Sequence, residues 1–159
     1  MIYILSGVSG SGKTTFAETL LQENINRVRL NRDDLRKTLF NVNQTDTSYY
    51  ARKDIKRCEN LVSEIIDQSM YDMLNKGLDI VLDNTHLKEE YITDIIRKFN
   101  HLSDINLIFT HDLSQETLNN FKFRLEYRYK GSDNIREKIS YIDRQWNEYR
   151  NLKQVFVLY

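Results

Sequence analysis

Proline is absent from this chain of 159 residues, and cysteine occurs once, at position 58. The missing prolines carry no functional reading, but a lone Cys58 excludes an internal disulfide and fits a reducing compartment. A dominant sign of charge is missing too, because 23 Lys and Arg balance 23 Asp and Glu. No global field therefore draws the protein to a polyanion or a membrane surface, and any such affinity has to come from a local patch. No apolar run reaches transmembrane length, and Met1 leads directly into a short apolar segment without the pattern of a signal peptide. A cytoplasmic protein without a membrane role is expected, its oligomeric state unspecified. What is present is ordinary for a globular chain: 40% hydrophobic and 29% charged residues. Residues 1–159 are expected to form a single domain, long enough to bury roughly two-thirds of the surface of the unfolded chain.

Apolar β-prone runs alternate with helical periodicity. Strands are expected at residues 2–5, 27–30, 79–82, 105–110 and 154–158. Helices are expected at 14–23, 33–40, 49–75, 88–99 and 115–129, with another marked by Ile135, Ile139, Ile142, Trp146 and Tyr149. Such alternation predicts an α/β fold with a parallel, doubly wound sheet. Residues 41–47 read as a polar turn, and no repeat, low-complexity segment or dividing linker interrupts the chain.

The first strand runs into Gly7-Val8-Ser9-Gly10-Ser11-Gly12-Lys13-Thr14, which satisfies G-x-x-x-x-G-K-[ST] at every fixed position, between a strand and a helix. Glycines let the backbone curl until successive N–H groups face inward around phosphate oxygens. The following helix aims its unpaired N–H groups at the same anion. Lys13 is placed to reach the β- and γ-phosphates, and Thr14 to offer a hydroxyl to Mg²⁺. The alternative is a glycine-rich turn that matches the pattern by chance, which a strand, loop and helix in register disfavour. The motif predicts binding of ATP or a related nucleotide and leaves the acceptor open.

Open α/β sheets bind ligands at the carboxyl ends of their strands. The second strand is followed by Asn31-Arg32-Asp33-Asp34-Leu35-Arg36. A kinase acting on a hydroxyl needs a carboxylate near that hydroxyl, and one at the start of a short helix beside the phosphate loop suits this. Arg36, three residues beyond Asp33, shares its helix face and has a fork of donors suited to an acceptor phosphate. The alternative is that Asp33 or Asp34 caps the helix and Arg36 is a solvated surface charge. Asp83 closes the third strand, where an acid suits Mg²⁺ ligation or a turn. Asn84 and Thr85 beside it are candidates to touch metal or substrate.

Seven basic and four acidic residues lie between Phe121 and Arg144. Arg124 and Arg128, four apart, stack on one helix side just before Gly131-Ser132. They read as lid arginines that stabilise a transferring phosphoryl group, or as a solvated face. Arg52, Lys53, Lys56 and Arg57 either track a nucleic-acid backbone or mark an exposed helix start. Cys58, Trp146 and Tyr149 read as packing residues, and His86, His101 and His111 are assigned no chemistry.

Gly7 to Thr15, the Asn-Arg-Asp-Asp-x-Arg segment at 31–36, Asp83-Asn84-Thr85, and the Arg124 and Arg128 pair together resemble the 5′-kinase domain of phage-type polynucleotide kinase. The resemblance runs from about residue 2 to about residue 141, and the segment at 31–36 is its most specific part. It implies a P-loop kinase fold with a helical lid, and strands ordered 2-3-1-4-5. It also implies transfer of the ATP γ-phosphate, with Mg²⁺, to the 5′-hydroxyl of RNA or DNA, as in nucleic-acid end repair.

Carried onto this chain, the resemblance puts Gly7, Ser9, Gly10, Ser11, Gly12, Lys13, Thr14, Thr15 and Arg124 at the nucleotide, and Thr14 and Asp83 at the metal. Asp33 becomes the general base, Arg36 the grip on an acceptor phosphate, and Arg128 the catalytic lid arginine. Asp83, Asn84 and Thr85 adjoin the substrate. The chain departs from the family in three places. His86 stands where asparagine is usual, Asp83 and Asn84 compete for the strand-end role, and Asp133-Asn134 replaces a valine-proline step. The kinase half alone is expected, without the phosphatase domain that relatives often carry. The rival readings are a P-loop kinase of a small metabolite, nucleoside or nucleotide-sugar, and a non-catalytic nucleotide-binding module.

Overall fold

The computed structural model describes residues 1–42, 47–128 and 135–157. Four parallel strands, β1 (Ile2–Ser6), β2 (Arg27–Leu30), β3 (Asp79–Asp83) and β4 (Ile105–Phe109), form one sheet in the order β2-β3-β1-β4. Ile2 stands opposite both Ile80 and Ile105, and Leu30 opposite Leu82. The short apolar runs suit such a sheet, because parallel strands covered by crossover helices are buried on both faces.

Alternation along the strands divides the core. On one face Ile2, Ile4, Ile80 and Leu82 pack with Ile66 and Met70 of α4 (Ile55–Asn75), Ile92 and Phe99 of α5 (Glu89–Phe99), and Leu152 of α7 (Ile135–Val157). On the other, Leu5 and Val81 meet Ala17 and Leu20 of α1 (Lys13–Glu23). Each fully buried aliphatic side chain contributes roughly 1.5–3 kcal/mol, so the two layers hold the carboxyl ends of β1 and β3 firmly in place. A third cluster, with Val8, Leu87, Leu118, Phe121, Ile142, Trp146 and Tyr149, fastens α6 (Gln115–Arg128) and α7 beside those ends.

Two expectations need correction. Residues 154–157, expected in a fifth strand, close α7 instead, so the order 2-3-1-4 stands without its last member among the described residues. The helical spacing of Ile142, Trp146 and Tyr149 simply continues through Leu152 and Phe156, both packed in the core. The helix expected over 49–75 begins at Ile55 and is preceded by a separate short α3 (Thr47–Tyr50). The break has a reason: Tyr49 Oη donates to Glu59 Oε1 at 2.8 Å. One straight helix would hold those two residues about 15 Å apart along its axis. No helix among the described residues is long and apolar enough to cross a membrane.

Candidate active site

Between β1 and α1 the backbone curls as the motif requires. Gly12, with φ 88°, sits in the left-handed region that glycine enters without steric cost, as does Gly10 with φ 80°. Gly12 is the N-cap of α1, and no side chain caps that helix. The first-turn N–H groups, including those of Thr14 and Thr15, therefore stay available to an anion. Gly7 is required for a different reason. A Cβ there would stand 2.2 Å from Thr110 Oγ1 and 2.8 Å from Ser11 Oγ, so the loop lies directly on the end of β4.

Neighbouring segments hold the loop's outer side. Gly7 N–H donates to Thr85 O at 3.1 Å, Val8 N–H to His111 Nε2 at 3.3 Å and Ser9 N–H to the buried Gln145 Oε1 at 2.9 Å. His111 Nδ1 lies 2.9 Å from Asp112 O and, as donor there, leaves Nε2 as the acceptor. The His111 ring stacks on Tyr149 at 4.0 Å and on Trp146 at 5.4 Å. Burial lowers its pKa and so favours this neutral form.

Lys13 folds back into the loop, its Nζ donating to Val8 O at 2.7 Å. It is only 8% exposed. Burial lowers its pKa to about 8, against the attraction of Asp83 and then Asp33. Lys13 thus lies within electrostatic reach of both carboxylates. Thr14 Oγ1 donates to Asp83 Oδ2 at 3.0 Å. The same oxygen receives Arg29 Nε at 2.8 Å and Nη2 at 2.7 Å, and Asn31 Nδ2 at 3.3 Å. Burial opposes the Arg29 charge, but hydrogen bonds to Asp83 and Asp34 outweigh it and raise the pKa of the guanidinium.

The start of α2 (Arg32–Phe40) answers the capping question. Asn31 is the N-cap, its Oδ1 accepting from the N–H groups of Asp33 at 2.8 Å and Asp34 at 3.1 Å. Asn84 Oδ1 accepts from Arg32 N–H at 2.8 Å. The carboxylate of Asp33 is therefore not used as a cap. It is 41% exposed and takes Arg36 Nη1 at 2.5 Å. Arg36 itself is largely buried and anchored by Glu59, with Nε to Oε1 at 2.8 Å and Nη2 to Oε2 at 2.7 Å. Tyr49 and Arg32 complete the grip on Glu59. Hydrogen bonds from Arg36 hold the Glu59 carboxyl down to about 2 despite burial. Arg36 is thus not a solvated surface charge.

A hydroxyl and a carboxylate converging at 3.0 Å are hard oxygen donors, and the Thr14 and Asp83 pair fits Mg²⁺, which takes one or two protein ligands and shares the rest with phosphates and water. Among the described residues there is no group of three or more His, Cys, Asp or Glu able to hold a metal. On α6, Arg124 is exposed. The side chain of Arg128 and residues 129–134 lie outside the described residues, and with them the centre of the expected lid. Arg52, Lys53, Lys56 and Arg57 are all exposed before and along the first turn of α4, and Arg52 pairs with Asp54 at 2.9 Å.

A sheet ordered 2-3-1-4, a curled anion loop after β1 and a strand-end acid bonded to the loop threonine now stand together, and residues 2–148 match the AAA domain family. The chain belongs to that family. Two solved structures share the P-loop architecture. Over 98% of this chain, a chain in the structure of the Pnkp1/Rnl/Hen1 RNA repair complex superposes with a TM-score of 0.73 at 23% identity. A chain in a structure of the Pnkp1/Rnl/Hen1 complex covers 73% of it with a TM-score of 0.59 at 27% identity. This protein spans 45% of the first of those chains and 37% of the second. No curated protein matches it.

Several residues of this AAA-domain site escaped the sequence motifs. Arg29 had a signal, since Arg27 and Arg29 alternate with apolar residues on a short strand of a buried sheet. Glu59 had none, being one acid among many on a long helix. Gln145 and His111 reach the loop from 136 and 103 residues away, and nothing local in sequence marks them.

Proposed function

We propose that the protein transfers the γ-phosphoryl group of ATP to the 5′-hydroxyl end of RNA or DNA, giving ADP and a 5′-phosphate end. The observation that carries this reading is Asp33. It is a half-exposed carboxylate, free of capping duty, within electrostatic reach of the buried loop lysine. Asp33 accepts the proton of the attacking hydroxyl. Arg36, fixed by Glu59, turns Nη1 toward Asp33 and holds the phosphate next to the acceptor's 5′-nucleoside. The open N–H groups of α1 and the loop grip the donor's phosphates, and Lys13 exchanges Val8 O for phosphate oxygens. Thr14 and Asp83 would hold Mg²⁺, which would supply charge neutralisation at the donor's phosphates. Arg124 and Arg128 are assigned to the transferring group, and Asn84 and Thr85 to the substrate side. Positioning and charge stabilisation supply most of the rate.

The likeness to chains of an RNA repair complex supports a nucleic-acid acceptor. End repair in the cytoplasm is the corresponding role. The test is transfer from γ-labelled ATP to a 5′-hydroxyl oligonucleotide and to the same oligonucleotide already 5′-phosphorylated. Label is expected on the first alone. Nucleotide binding without transfer to any oligonucleotide would overturn the proposal, and transfer to a nucleoside or sugar instead would move the acceptor class.

A further inference from the structure

Asp83 closes β3 with only 1% of its surface exposed, and a cation of the protein's own already sits on it. Its Oδ2 takes Arg29 Nε at 2.8 Å and Nη2 at 2.7 Å. Thr14 Oγ1 donates to the same oxygen at 3.0 Å and Asn31 Nδ2 at 3.3 Å. Arg29 Nη1 reaches on to Asp34 Oδ2 at 2.5 Å, so the guanidinium is fixed between the strand-end acid and the start of α2. Among the described residues no other cation pairs with Asp83, because Lys13 Nζ is turned to Val8 O at 2.7 Å. Arg27, two residues earlier on β2, spends its donors on Leu20 O, Glu23 and Tyr3, away from the site.

A buried carboxylate without a counter-charge is costly, and Arg29 supplies that charge from β2. The pair it makes with Asp83 carries no net charge. A divalent cation arriving at Thr14 and Asp83 would therefore share Oδ2 with a like charge and gain little from the acid. Phosphates in the anion loop change this balance, since they bring the negative charge that the neutral pair lacks.

We propose that Arg29 is a built-in counter-ion that keeps the Thr14–Asp83 site from taking up a divalent cation until nucleotide phosphates are bound. The proposal rests on the assignment of the metal to Thr14 and Asp83 and is independent of the acceptor. Arg29 is on this view a positioning residue, holding Asp83 bonded to Thr14 while no metal is present and making nucleotide and cation arrive together.

The test titrates Mn²⁺, a hard cation with the same ligand preference as Mg²⁺, and reads bound metal by electron paramagnetic resonance. The nucleotide-free proteins are the parent, Arg29→Gln, Arg29→Lys and the double variant Arg29→Gln with Asp83→Asn. Arg29→Gln removes the charge and keeps a donor, and is expected to bind Mn²⁺ roughly tenfold more tightly than the parent, the scale of one close charge pair. Arg29→Lys keeps the charge and should bind as weakly as the parent, and the double variant should lose the gain. Urea denaturation gives a second readout: Mn²⁺ should raise the midpoint of Arg29→Gln and leave the parent's unchanged. A purely structural arginine would lower that midpoint without any response to metal. Arg29→Gln gaining neither affinity nor stability from Mn²⁺, or Arg29→Lys gaining as much as Arg29→Gln, would overturn the counter-ion. Mn²⁺ is also titrated into the complexes of the parent and Asp83→Asn with a non-hydrolysable ATP analogue. Equal affinity there would overturn the metal assignment itself, and the counter-ion with it.

Discussion

Arg36 and Glu59 meet fork to fork, two parallel hydrogen bonds of 2.8 and 2.7 Å joining α2 to α4. The planar guanidinium makes both bonds at once and still turns Nη1 to Asp33, which a lysine cannot do. Arg36→Lys is therefore expected to behave as a loss of function, raising acceptor KM at least tenfold. Leaving the half-buried Glu59 short of donors should also cost ~1–3 kcal/mol. Steady-state kinetics and urea denaturation read the two effects separately, and ATP affinity should stay at the parent value.

Asp33 carries the proposed proton transfer and takes no part in capping its helix. Asp33→Asn should lower kcat by roughly 10²–10⁴-fold while nucleotide binding and urea midpoint stay close to the parent's. A variant with undiminished transfer would remove Asp33 from the chemistry.

Ser9 N–H and Gln145 Oε1 join the anion loop to α7. Gln145→Leu keeps the volume but leaves a loop N–H without its acceptor, a loss of about 1 kcal/mol. Nucleotide titration should show ATP affinity weakened about five- to tenfold, with acceptor KM little changed. His111→Phe, which keeps a stacking ring and removes the acceptor for Val8 N–H, is expected to act in the same direction.

The anion loop, the four strands and the Asp33–Arg36 pair were legible because each depends on neighbours in sequence: a glycine pattern, an apolar run, a spacing of three. The order of those strands joins distant segments and came only from the family resemblance. The capping of α2 was not legible, since Asp33, Asp34 and Asn31 are all competent caps and only the fold assigns the role to Asn31. The supports of the site were hidden for the same physical reason. Glu59, His111 and Gln145 act through contacts made after distant segments pack, and a single polar residue on a helix has no period. The supposed strand at 154–158 failed because a short apolar run suits either state, and core contacts of Leu152 and Phe156 decide for helix.

His86 holds a left-handed backbone, φ 39°, with Nδ1 on Leu5 O at 3.0 Å. Burial lowers its pKa from 6.5 to about 4. Above pH 6.5 the ring is neutral in both folded and unfolded chains, so its contribution is fully retained. As the pH falls from 6.5 toward 4 the unfolded chain binds the proton first, and up to ~3 kcal/mol of stability is lost. Asparagine tolerates the same backbone, so His86→Asn should flatten the urea stability curve across that window. Glu59 works lower. Its depressed pKa gives stability that is present above about 4.5 and lost as the pH falls toward 2, and Glu59→Gln should flatten only that limb. Two variants with indistinguishable acid profiles would contradict both assignments.

Tyr141, Gln145, Tyr149 and Leu152 lie at intervals of four, four and three along one continuous helix, and so form a single stripe. Gln145 holds Ser9 N–H and Tyr149 holds the carbonyl of His111, so both steady the anion loop, and Leu152 is sunk in the core. From Gln145 to Leu152 the rod rises about 10 Å, so one rigid element ties the height of the anion loop to the layer beneath it. One residue inserted after Gln145 would turn that end through about 100° and spoil the alignment, although every individual contact group were still in the chain.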